Sequence, residues 1–535
     1  MVSSSYCSPP TMFWKFLIVV FLSVTSYRLA SGTDTRPNIV FVLADDYGYY
    51  DIGYHGKQIQ TPHLDKLCSG GVRLENYYVQ PICVPTRSQL MSGMYQIHTG
   101  LQHSNQDLLP LNIPTVADKI KEAGYYTHMI GKWHLGFRRK ENMPSYRGFD
   151  TMFTYLGGYE TYFSHDRPWR GKGPYLDLRT EKGPAFNYSG IYSANMYTER
   201  AINVLREHAE KQSDTPLFMY LAYQSVHTPL EVPDHYMKPY EHIKDKKRRS
   251  YAGMVNALDE GVGNLTKALK DLNMWDNTVF IFSTDNGGNN REGGACNWPL
   301  RGRKATLWEG GMRANGFVAG GRVGRSGVVS TELIHVSDWF PTLVGLAKGN
   351  LKGTKLDGYN QWSTISKGTA SPRNVILHNI DILMPRLGKP AVKGTFDTSV
   401  RAAIRVGDYK LITGNCGDDQ WIPPPGMPEH SLRSDNTLLF PATHNDMEFH
   451  QDQIKNSHDS SDKQRVGEEK NVWLFNILKD PNERDDLSEK EPERVRAMLD
   501  QLLAFNKTAV PPFLVKSDPR SNPALHGNVW GPWLD

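Results

Sequence analysis

Four oxygen-bearing side chains directly follow two short apolar runs of the sequence: Asp45, Asp46, Asp285 and Asn286. The runs are residues 38–44 and 278–284, and no pair of cysteines or histidines accompanies them. Carboxylate and amide oxygens are hard ligands that select Ca²⁺ or Mg²⁺ over zinc. An Asp at a strand end often only caps a helix or makes a turn, but two such pairs together predict a cation site.

Cys83 begins a second candidate segment, because Pro85 two positions later suits the first turn of a helix. A side chain at a helix N-terminus meets free N–H groups and a dipole that favour negative charge. A buried structural cysteine is one alternative interpretation. A thiolate phosphatase loop is another, but it requires an arginine six positions after the cysteine, where Gln89 stands.

Basic side chains occur near the same predicted strand ends. Lys132 and His134 follow a short apolar run, and we predict that they alternate onto one side of an extended segment. His227 follows the apolar run 216–222, and Lys304 lies in a basic stretch after residue 300. Taken alone, each would be interpreted as a surface lysine or as a buried histidine whose hydrogen bonds are made within the fold. Together they fit a clamp for a tetrahedral anion beside a divalent metal.

The elements that position these residues alternate between strands and helices. The runs 38–44, 216–222 and 278–284 read as buried strands, and residues 113–123 and 251–269 have helical apolar spacing. This alternation predicts an α/β sheet covered on both faces. Ligands bind such sheets beyond the carboxyl ends of the strands, where the acidic residues fall.

The pattern changes near residue 371. Residues 375–380 and 402–412 read as antiparallel strands, the second with a Gly-Asp turn or bulge, and residues 493–505 read as an amphipathic helix. The predicted division is a signal peptide at 1–30, a large domain carrying the candidate site at 36–371, and a smaller α+β domain at 372–535 with a polar loop at about 423–470.

An export signal is predicted at the start of the chain, where Lys15 precedes the apolar run 16–21 and small residues extend to Ala30. This run is shorter than the roughly 20 residues that span a bilayer. We therefore expect no stable membrane anchor and an address in the secretory pathway, lysosomal or extracellular. Beside such a signal, three Asn-x-Ser/Thr tripeptides are predicted glycosylation sites: Asn187, Asn264 and Asn506.

Charge and cysteine content set further bounds. The net charge of +4, without a basic stripe or a DNA-binding motif, argues against nucleic acid as a partner. The dense basic stretch 244–249 reads as a solvated helix start, with a landing site for a polyanionic substrate as the alternative. If Cys83 has other chemistry and Cys7 leaves with the signal, the three remaining cysteines allow at most one intramolecular disulfide.

The chain resembles the sulfatase family, and within it enzymes of the arylsulfatase B (N-acetylgalactosamine-4-sulfatase) type. The most specific string begins with Cys-x-Pro-x-Arg at Cys83 and continues to Gly93. The resemblance runs from about Asn38 to the end of the chain, apart from the polar loop. The strings that carry it are 43–49, 83–93, 95–103, 131–136, 224–227, 283–288, 300–311, 377–381 and 529–533.

This resemblance implies a fold, two cofactors and a role for each site residue. The fold would be an alkaline-phosphatase/sulfatase-like large mixed sheet flanked by helices, with a smaller C-terminal α+β domain. A formylglycine-generating enzyme would convert Cys83 to formylglycine (3-oxoalanine). Arg87 would hold the formylglycine diol, and His134 would be the base. The implied ligands of one Ca²⁺ are Asp45, Asp46, Asp285, Asn286 and the modified Cys83, and the implied sulfate-binding cations are Lys132, His227 and Lys304.

The implied mechanism is hydrolysis of a sulfate ester. One hydroxyl of the diol attacks sulfur, and the calcium ion and the cations stabilise the charge on the sulfuryl oxygens. His227 or Lys304 protonates the departing oxygen. His134 then removes the proton of the remaining hydroxyl, so that the aldehyde re-forms and sulfate leaves by C–O cleavage.

The chain departs from the family pattern at several positions. Met94 and His98 stand where family members often carry arginine, and Ser521 replaces a disulfide cysteine. Three functional hypotheses remain. The first two are sulfatases, acting either on N-acetylgalactosamine 4-sulfate units of glycosaminoglycans or on small esters such as aryl sulfates or glucosinolates. The third is a catalytically silent glycan-binding protein. The intact matched positions weigh against the third.

Overall fold

The computed structural model describes residues 36–103, 108–426, 470–514 and 518–534. The predicted signal peptide and most of the predicted polar loop lie outside these residues, so both stay predictions, as does the secretory address. Within the described ranges, no helix combines the length and the apolar character needed to cross a membrane.

Eighteen strands are present in the described part of the chain. In chain order they are β1 (Asn38–Ala44), β2 (Val72–Leu74), β3 (Tyr77–Tyr78), β4 (Tyr126–Lys132), β5 (Thr151–Tyr155), β6 (Asp166–Trp169), β7 (Lys172–Leu176), β8 (Arg179–Thr180), β9 (Gly183–Pro184), β10 (Leu217–Ala222), β11 (Thr278–Thr284), β12 (Gly316–Ala319), β13 (Val328–Ser330), β14 (Ile334–His335), β15 (Val375–Asp381), β16 (Arg401–Val406), β17 (Tyr409–Thr413) and β18 (Val472–Asn476).

The α-helices of the same ranges surround and connect these strands. They are α1 (Pro62–Ser69), α2 (Cys83–Ser92), α3 (Gln96–Thr99), α4 (Val116–Glu122), α5 (Ser193–Lys211), α6 (Asp234–Met237), α7 (Lys246–Asp271), α8 (Glu309–Met312), α9 (Trp339–Leu346), α10 (Trp362–Lys367) and α11 (Pro492–Asn506).

A ten-stranded mixed sheet forms the centre, in the order β13-β2-β12-β11-β1-β10-β4-β5-β8-β9. Strands β11, β1, β10, β4 and β5 are parallel to their neighbours within this group. The predicted strands at 38–44, 216–222 and 278–284 are β1, β10 and β11, and they lie side by side. The predicted α/β class with a large mixed sheet is therefore confirmed.

Two apolar cores cover the two faces of this sheet. Alternate residues of β1 divide between them, because side chains of a strand point to opposite faces. Val40 and Val42 join the core under α1, α5 and α7, whereas Ile39 and Phe41 join the core under α2, α4 and α9. Every residue of β1 is buried, which explains its continuous apolar run.

Two helices differ at their ends from the sequence-based prediction. Helix α4 begins at Val116, because the side chain of Thr115 caps it in a reciprocal capping box with Asp118. Helix α7 begins earlier than predicted, where the Asp245 carboxylate accepts a hydrogen bond from the backbone N–H of Arg248 at 2.7 Å.

The basic stretch 244–249 is not solvated throughout, so that interpretation is wrong for one residue. Arg248 is buried, and its Nη1 lies 2.6 Å from Oδ1 of Asp51. Helical geometry turns Arg248 inward while Lys246 and Lys247 on the same turn stay exposed. Arg248 therefore fixes the start of α7 against the loop after β1.

A four-stranded antiparallel sheet, in the order β15-β16-β17-β18, follows the large sheet along the chain. The predicted strand 402–412 is a hairpin of two strands, β16 and β17, because Gly407 adopts a positive φ of 54° between them. Helix α11 covers one face. The predicted boundary at 371/372 stays a prediction, since the residues that the structure describes form a single compact unit.

Among the described residues the cysteines form no disulfide, and glycosylation stays a prediction. The four cysteines of the described residues, at 68, 83, 296 and 416, are buried and unpaired with one another. All three predicted glycosylation asparagines are exposed, which fits modification and leaves it a prediction: Asn187, Asn264 and Asn506.

Candidate active site

The four predicted metal ligands meet at the ends of two neighbouring strands. Strands β1 and β11 are parallel and pair Ala44 with Thr284, so the residues that follow are adjacent. The backbone N–H of Asp46 donates to Oδ1 of Asp285 at 3.2 Å, and Nδ2 of Asn286 donates to Oδ1 of Asp46 at 2.7 Å. Asp46 has a left-handed φ of 54°. The predicted convergence is therefore present.

The donor set fits a hard divalent cation. Oδ1 of Asn286 is buried and has no hydrogen-bond partner, although such an oxygen normally has one. Ligand atoms of Asp45, Asp46, Cys83 and His227 also lie within 4.8 Å of one another, which is a second possible set. We favour the all-oxygen set for Ca²⁺, because a histidine nitrogen is not a ligand that this ion prefers.

Charges in this cluster strongly influence one another. Burial and the neighbouring Asp45 raise the pKa of the Asp285 carboxyl to about 7. Burial opposes ionisation of Asp45 as well, but Lys132, His227 and Arg87 hold its pKa below the usual range. Cationic groups therefore keep at least one carboxylate of the cluster ionised.

Cys83 is the first residue of α2, as predicted, and it is buried beside the acidic cluster. Its Sγ lies 3.9 Å from Oδ1 of Asp45. Burial raises the pKa of its thiol to about 11, although Lys132 opposes this rise. The unmodified side chain is therefore a neutral thiol at physiological pH, which argues against the thiolate phosphatase alternative.

Arg87, one turn further along α2, joins three parts of the site. Its Nη2 lies 2.9 Å from Oδ2 of Asp285 and 3.3 Å from Oδ2 of Asp45. Its Nη1 donates to the backbone oxygen of Lys132 at 3.3 Å. The side chain is fully buried. The guanidinium thus has a fixed position near the side chain at position 83.

Two lysines reach the acidic pair from different directions. Nζ of Lys132, the last residue of β4, lies 2.5 Å from Oδ2 of Asp45. Nζ of Lys304 lies 2.6 Å from Oδ1 of Asp46. Arg401 in β16 donates to the backbone oxygen of Ala305 at 2.6 Å, and so supports the loop that carries Lys304. Sequence reasoning did not select Arg401, because its strand lies far along the chain.

The two predicted histidines also lie at this end of the sheet. Nε2 of His227 is 3.7 Å from Oδ2 of Asp46. Nδ1 of His134 is buried without a hydrogen-bond partner. Burial, followed by the charges of Lys132 and Arg87, lowers the pKa of His134 well below its usual value. His134 is therefore neutral, and its Nδ1 is available as a hydrogen-bonding atom.

The predicted alternation of Lys132 and His134 along one extended segment is wrong. Strand β4 ends at Lys132, and His134 adopts a left-handed φ of 53°. Such backbone in a residue other than glycine is costly and often occurs at functional sites. This turn, rather than strand periodicity, places the imidazole of His134 near the acidic cluster.

Sequence reasoning missed the segment that packs against His134. A methyl group added to Gly158 would lie 2.9 Å from Cε1 of that histidine, so a larger residue there would have to displace the imidazole. Its neighbour Tyr159 lies beside His227, with ring centroids 6.3 Å apart and planes at 9°. The adjacent glycines at 157 and 158 were the available signal, because paired glycines often permit close backbone approach.

His98, one of the departures from the family pattern, has partners of its own. Its Nδ1 lies 2.7 Å from Oδ2 of Asp357, and its Nε2 lies 2.8 Å from Oγ1 of Thr508. The other departure, Met94, is half-buried. Neither residue disturbs the positions matched to the family.

Comparisons with known proteins identify the family of the chain. The family model described as "Sulfatase" matches residues 37–349. The chain is 47% identical to arylsulfatase J of Mus musculus over 94% of this chain and 81% of that protein. It is 29% identical to N-acetylgalactosamine-6-sulfatase of Homo sapiens over 66% of this chain and 70% of that protein.

Solved structures share the fold of the chain. A structure of Ps i-CgsB in complex with k-i-k-neocarrahexaose is 27% identical, with a TM-score of 0.71 over 92% of this chain and 98% of that one. A phosphonate monoester hydrolase, SpPMH from Silicibacter pomeroyi, has a TM-score of 0.58 over 89% of this chain and 96% of that one at 15% identity, which reflects the fold alone. From the matching family model, the close relative and the geometry together, the chain belongs to the sulfatase family and is a sulfuric ester hydrolase.

Proposed function

We propose that this sulfatase uses a formylglycine made from Cys83 and one bound Ca²⁺ to remove the 4-sulfate of N-acetylgalactosamine units in glycosaminoglycans. The observation that carries the proposal is the meeting of Cys83 with an oxygen cage at the ends of β1 and β11. The formylglycine-generating enzyme would be the partner during maturation. A sulfated carbohydrate would be the substrate.

Two groups supply chemistry that the twenty ordinary side chains lack. Bound calcium would be held by Asp45, Asp46, Asp285, Asn286 and the modified residue 83, and would supply positive charge for anionic oxygens. Formylglycine would supply a hydrated aldehyde as the nucleophile, which an unmodified thiol with a raised pKa does not match.

Arg87 would orient the nucleophile, because its guanidinium is fixed by Asp285 and Asp45 and has little freedom to move. Lys132 and Lys304 would bind sulfuryl oxygens, since both ammonium groups already lie at the edge of the acidic pair. Preorganised cations in a buried site stabilise developing negative charge without reorganisation.

The remaining roles concern protons. His134 is neutral and its Nδ1 has no partner, so it would accept a proton from the side chain at position 83. Lys304 and His227 both lie beside Asp46 and are the candidates to protonate the departing oxygen.

The substrate class is proposed from relatives. One relative is named for N-acetylgalactosamine 6-sulfate chemistry, and one structural neighbour contains an oligosaccharide, k-i-k-neocarrahexaose. These favour a sulfated sugar over a small ester. Aryl sulfates and glucosinolates form the second class, because the 47% identical relative carries the name arylsulfatase J.

A substrate panel tests the function. Enzyme made in a eukaryotic host with an active formylglycine-generating enzyme is expected to release sulfate fastest from chondroitin or dermatan fragments ending in N-acetylgalactosamine 4-sulfate. Measuring kcat/KM on these fragments, on aryl sulfates and on glucosinolates ranks the three substrate classes. Faster turnover of a glucosinolate would overturn the proposed substrate, and an intact thiol at Cys83 in fully active enzyme would overturn the proposed nucleophile.

Removal of calcium gives a second test with a readout besides activity. Chelation is expected to lower the melting temperature as well as activity, because a ligand at a hundred times its Kd stabilises the folded state by about 2.7 kcal/mol. Calcium should restore both properties. The variant Asn286→Leu should melt at the same temperature with and without calcium, and a calcium-dependent shift in that variant would contradict the assigned ligand.

A further inference from the structure

Tyr159 occupies a special position in the segment 157–160 that follows β5. Its preceding neighbour, Gly158, lies against the imidazole of His134. Its own ring is nearly parallel to the ring of His227, at 9° and 6.3 Å between centroids. Two successive residues thus lie next to the two histidines of the candidate site, which places Tyr159 at the edge of that site.

The exposure of Tyr159 differs from that of its surroundings. The ring is 38% exposed, whereas His134 is 6% exposed and Gly158 lies against it. A large aromatic that is left open to solvent contributes little to the core. At this position its exposed surface instead lies at the edge of the candidate site.

The backbone around Tyr159 is held on both sides. The Asp177 carboxylate accepts hydrogen bonds from the N–H groups of Leu156 and Gly157, each at 3.0 Å. On the other side, the Glu160 carboxylate accepts a hydrogen bond from Tyr197 at 2.6 Å, and the Glu160 backbone oxygen accepts one from Gln224. The aromatic ring is therefore presented from a fixed segment.

We propose that Tyr159 is a specificity-determining residue that stacks against the ring from which sulfate is removed. This inference rests on the proposed function and adds the recognition of the leaving group to it. A pyranose with its sulfate among the lysines would extend past His227 toward solvent, where the tyrosine face meets its C–H groups. Aromatic faces attract such polarised C–H edges and planar rings alike.

The test separates recognition of the ring from recognition of the sulfate. For Tyr159→Ala we expect a KM about tenfold higher on N-acetylgalactosamine 4-sulfate and on an aryl sulfate, with kcat within about twofold of the parent enzyme. Tyr159→Phe should behave as the parent, because the face and not the hydroxyl is used. Inorganic sulfate, which has no ring, should inhibit all three proteins with the same Ki.

Two results would overturn the role of Tyr159. An unchanged KM in Tyr159→Ala would show that no ring stacks there, and a Ki for inorganic sulfate that rises together with KM would show general damage to the site. Tyr146→Ala removes another exposed tyrosine and serves as the matched control. The parent enzyme is assayed first, so a failure to hydrolyse either ester would count against the proposed function and be distinct from a failure of the stacking role.

Discussion

Replacing Cys83 by serine is expected to end multiple turnover and to leave one sulfo group covalently bound to each chain. A serine hydroxyl at this helix N-terminus can be sulfated, but it lacks the second hydroxyl whose deprotonation would expel sulfate. Loss of the nucleophile's full chemistry should lower kcat at least about a thousandfold. Intact-mass measurement after incubation with an aryl sulfate checks both the adduct and its stoichiometry.

A matched control for this variant is available within the chain. Cys68 is also buried, and it lies in the core under α1 rather than at the strand ends. Cys68→Ser should therefore turn over normally and carry no sulfo group. Steady turnover by Cys83→Ser, or an adduct on the Cys68 variant at the same level, would refute the proposed part played by position 83.

The variant Lys410→Met is expected to cost about 3–5 kcal/mol of unfolding free energy, the range measured when one partner of a buried ion pair is removed. Nζ of Lys410 lies 2.9 Å from the Glu309 carboxylate and 2.8 Å from that of Glu483, and all three side chains are fully buried. Burial raises the pKa of Glu483 to about 7 despite the lysine. Without the lysine, two carboxyl groups would remain buried together.

Denaturant unfolding measures this loss, and two further variants interpret it. Adding Glu309→Gln and Glu483→Gln to Lys410→Met should recover part of the stability, because the two carboxylates left without Lys410 are then replaced by neutral amides. Lys267→Met removes an exposed lysine paired with Asp271 on α7 and should change stability by less than about 0.5 kcal/mol. Equal losses in the Lys410 and Lys267 variants would contradict the argument from burial.

Local sequence patterns correctly predicted where several of the candidate residues lie in the fold. The apolar runs before Asp45 and Asp285 form adjacent parallel strands, and the carboxyl ends of such strands lie at the same edge of the sheet. Pro85 marks the first turn of the helix that begins at Cys83. Residue types and the alternation of strands and helices along the chain were sufficient to predict these features. Their metal-ligand and catalytic roles stay predictions that the proposed experiments address.

Features that depend on long-range packing or on single backbone angles were not predicted. The left-handed backbone of His134 and the inward turn of Arg248 have no periodic signal. Strand β18 was missed, because its pairing partner β17 is separated from it by more than fifty residues. Tyr159 was missed for the same reason, since its neighbour His227 lies on another strand connection.

The pairing of β1 with β11 along seven residues has a consequence for how this enzyme can move. A hinge that widened the acidic cluster at the strand ends would have to separate two strands that are hydrogen-bonded over their whole length. The floor of the site is therefore stationary, whereas the loops around it, such as 157–160 and 300–305, lie outside the sheet and can change in sequence without disturbing it. Selectivity in this architecture can diverge through exchange of those loops while the hydrolytic chemistry stays the same.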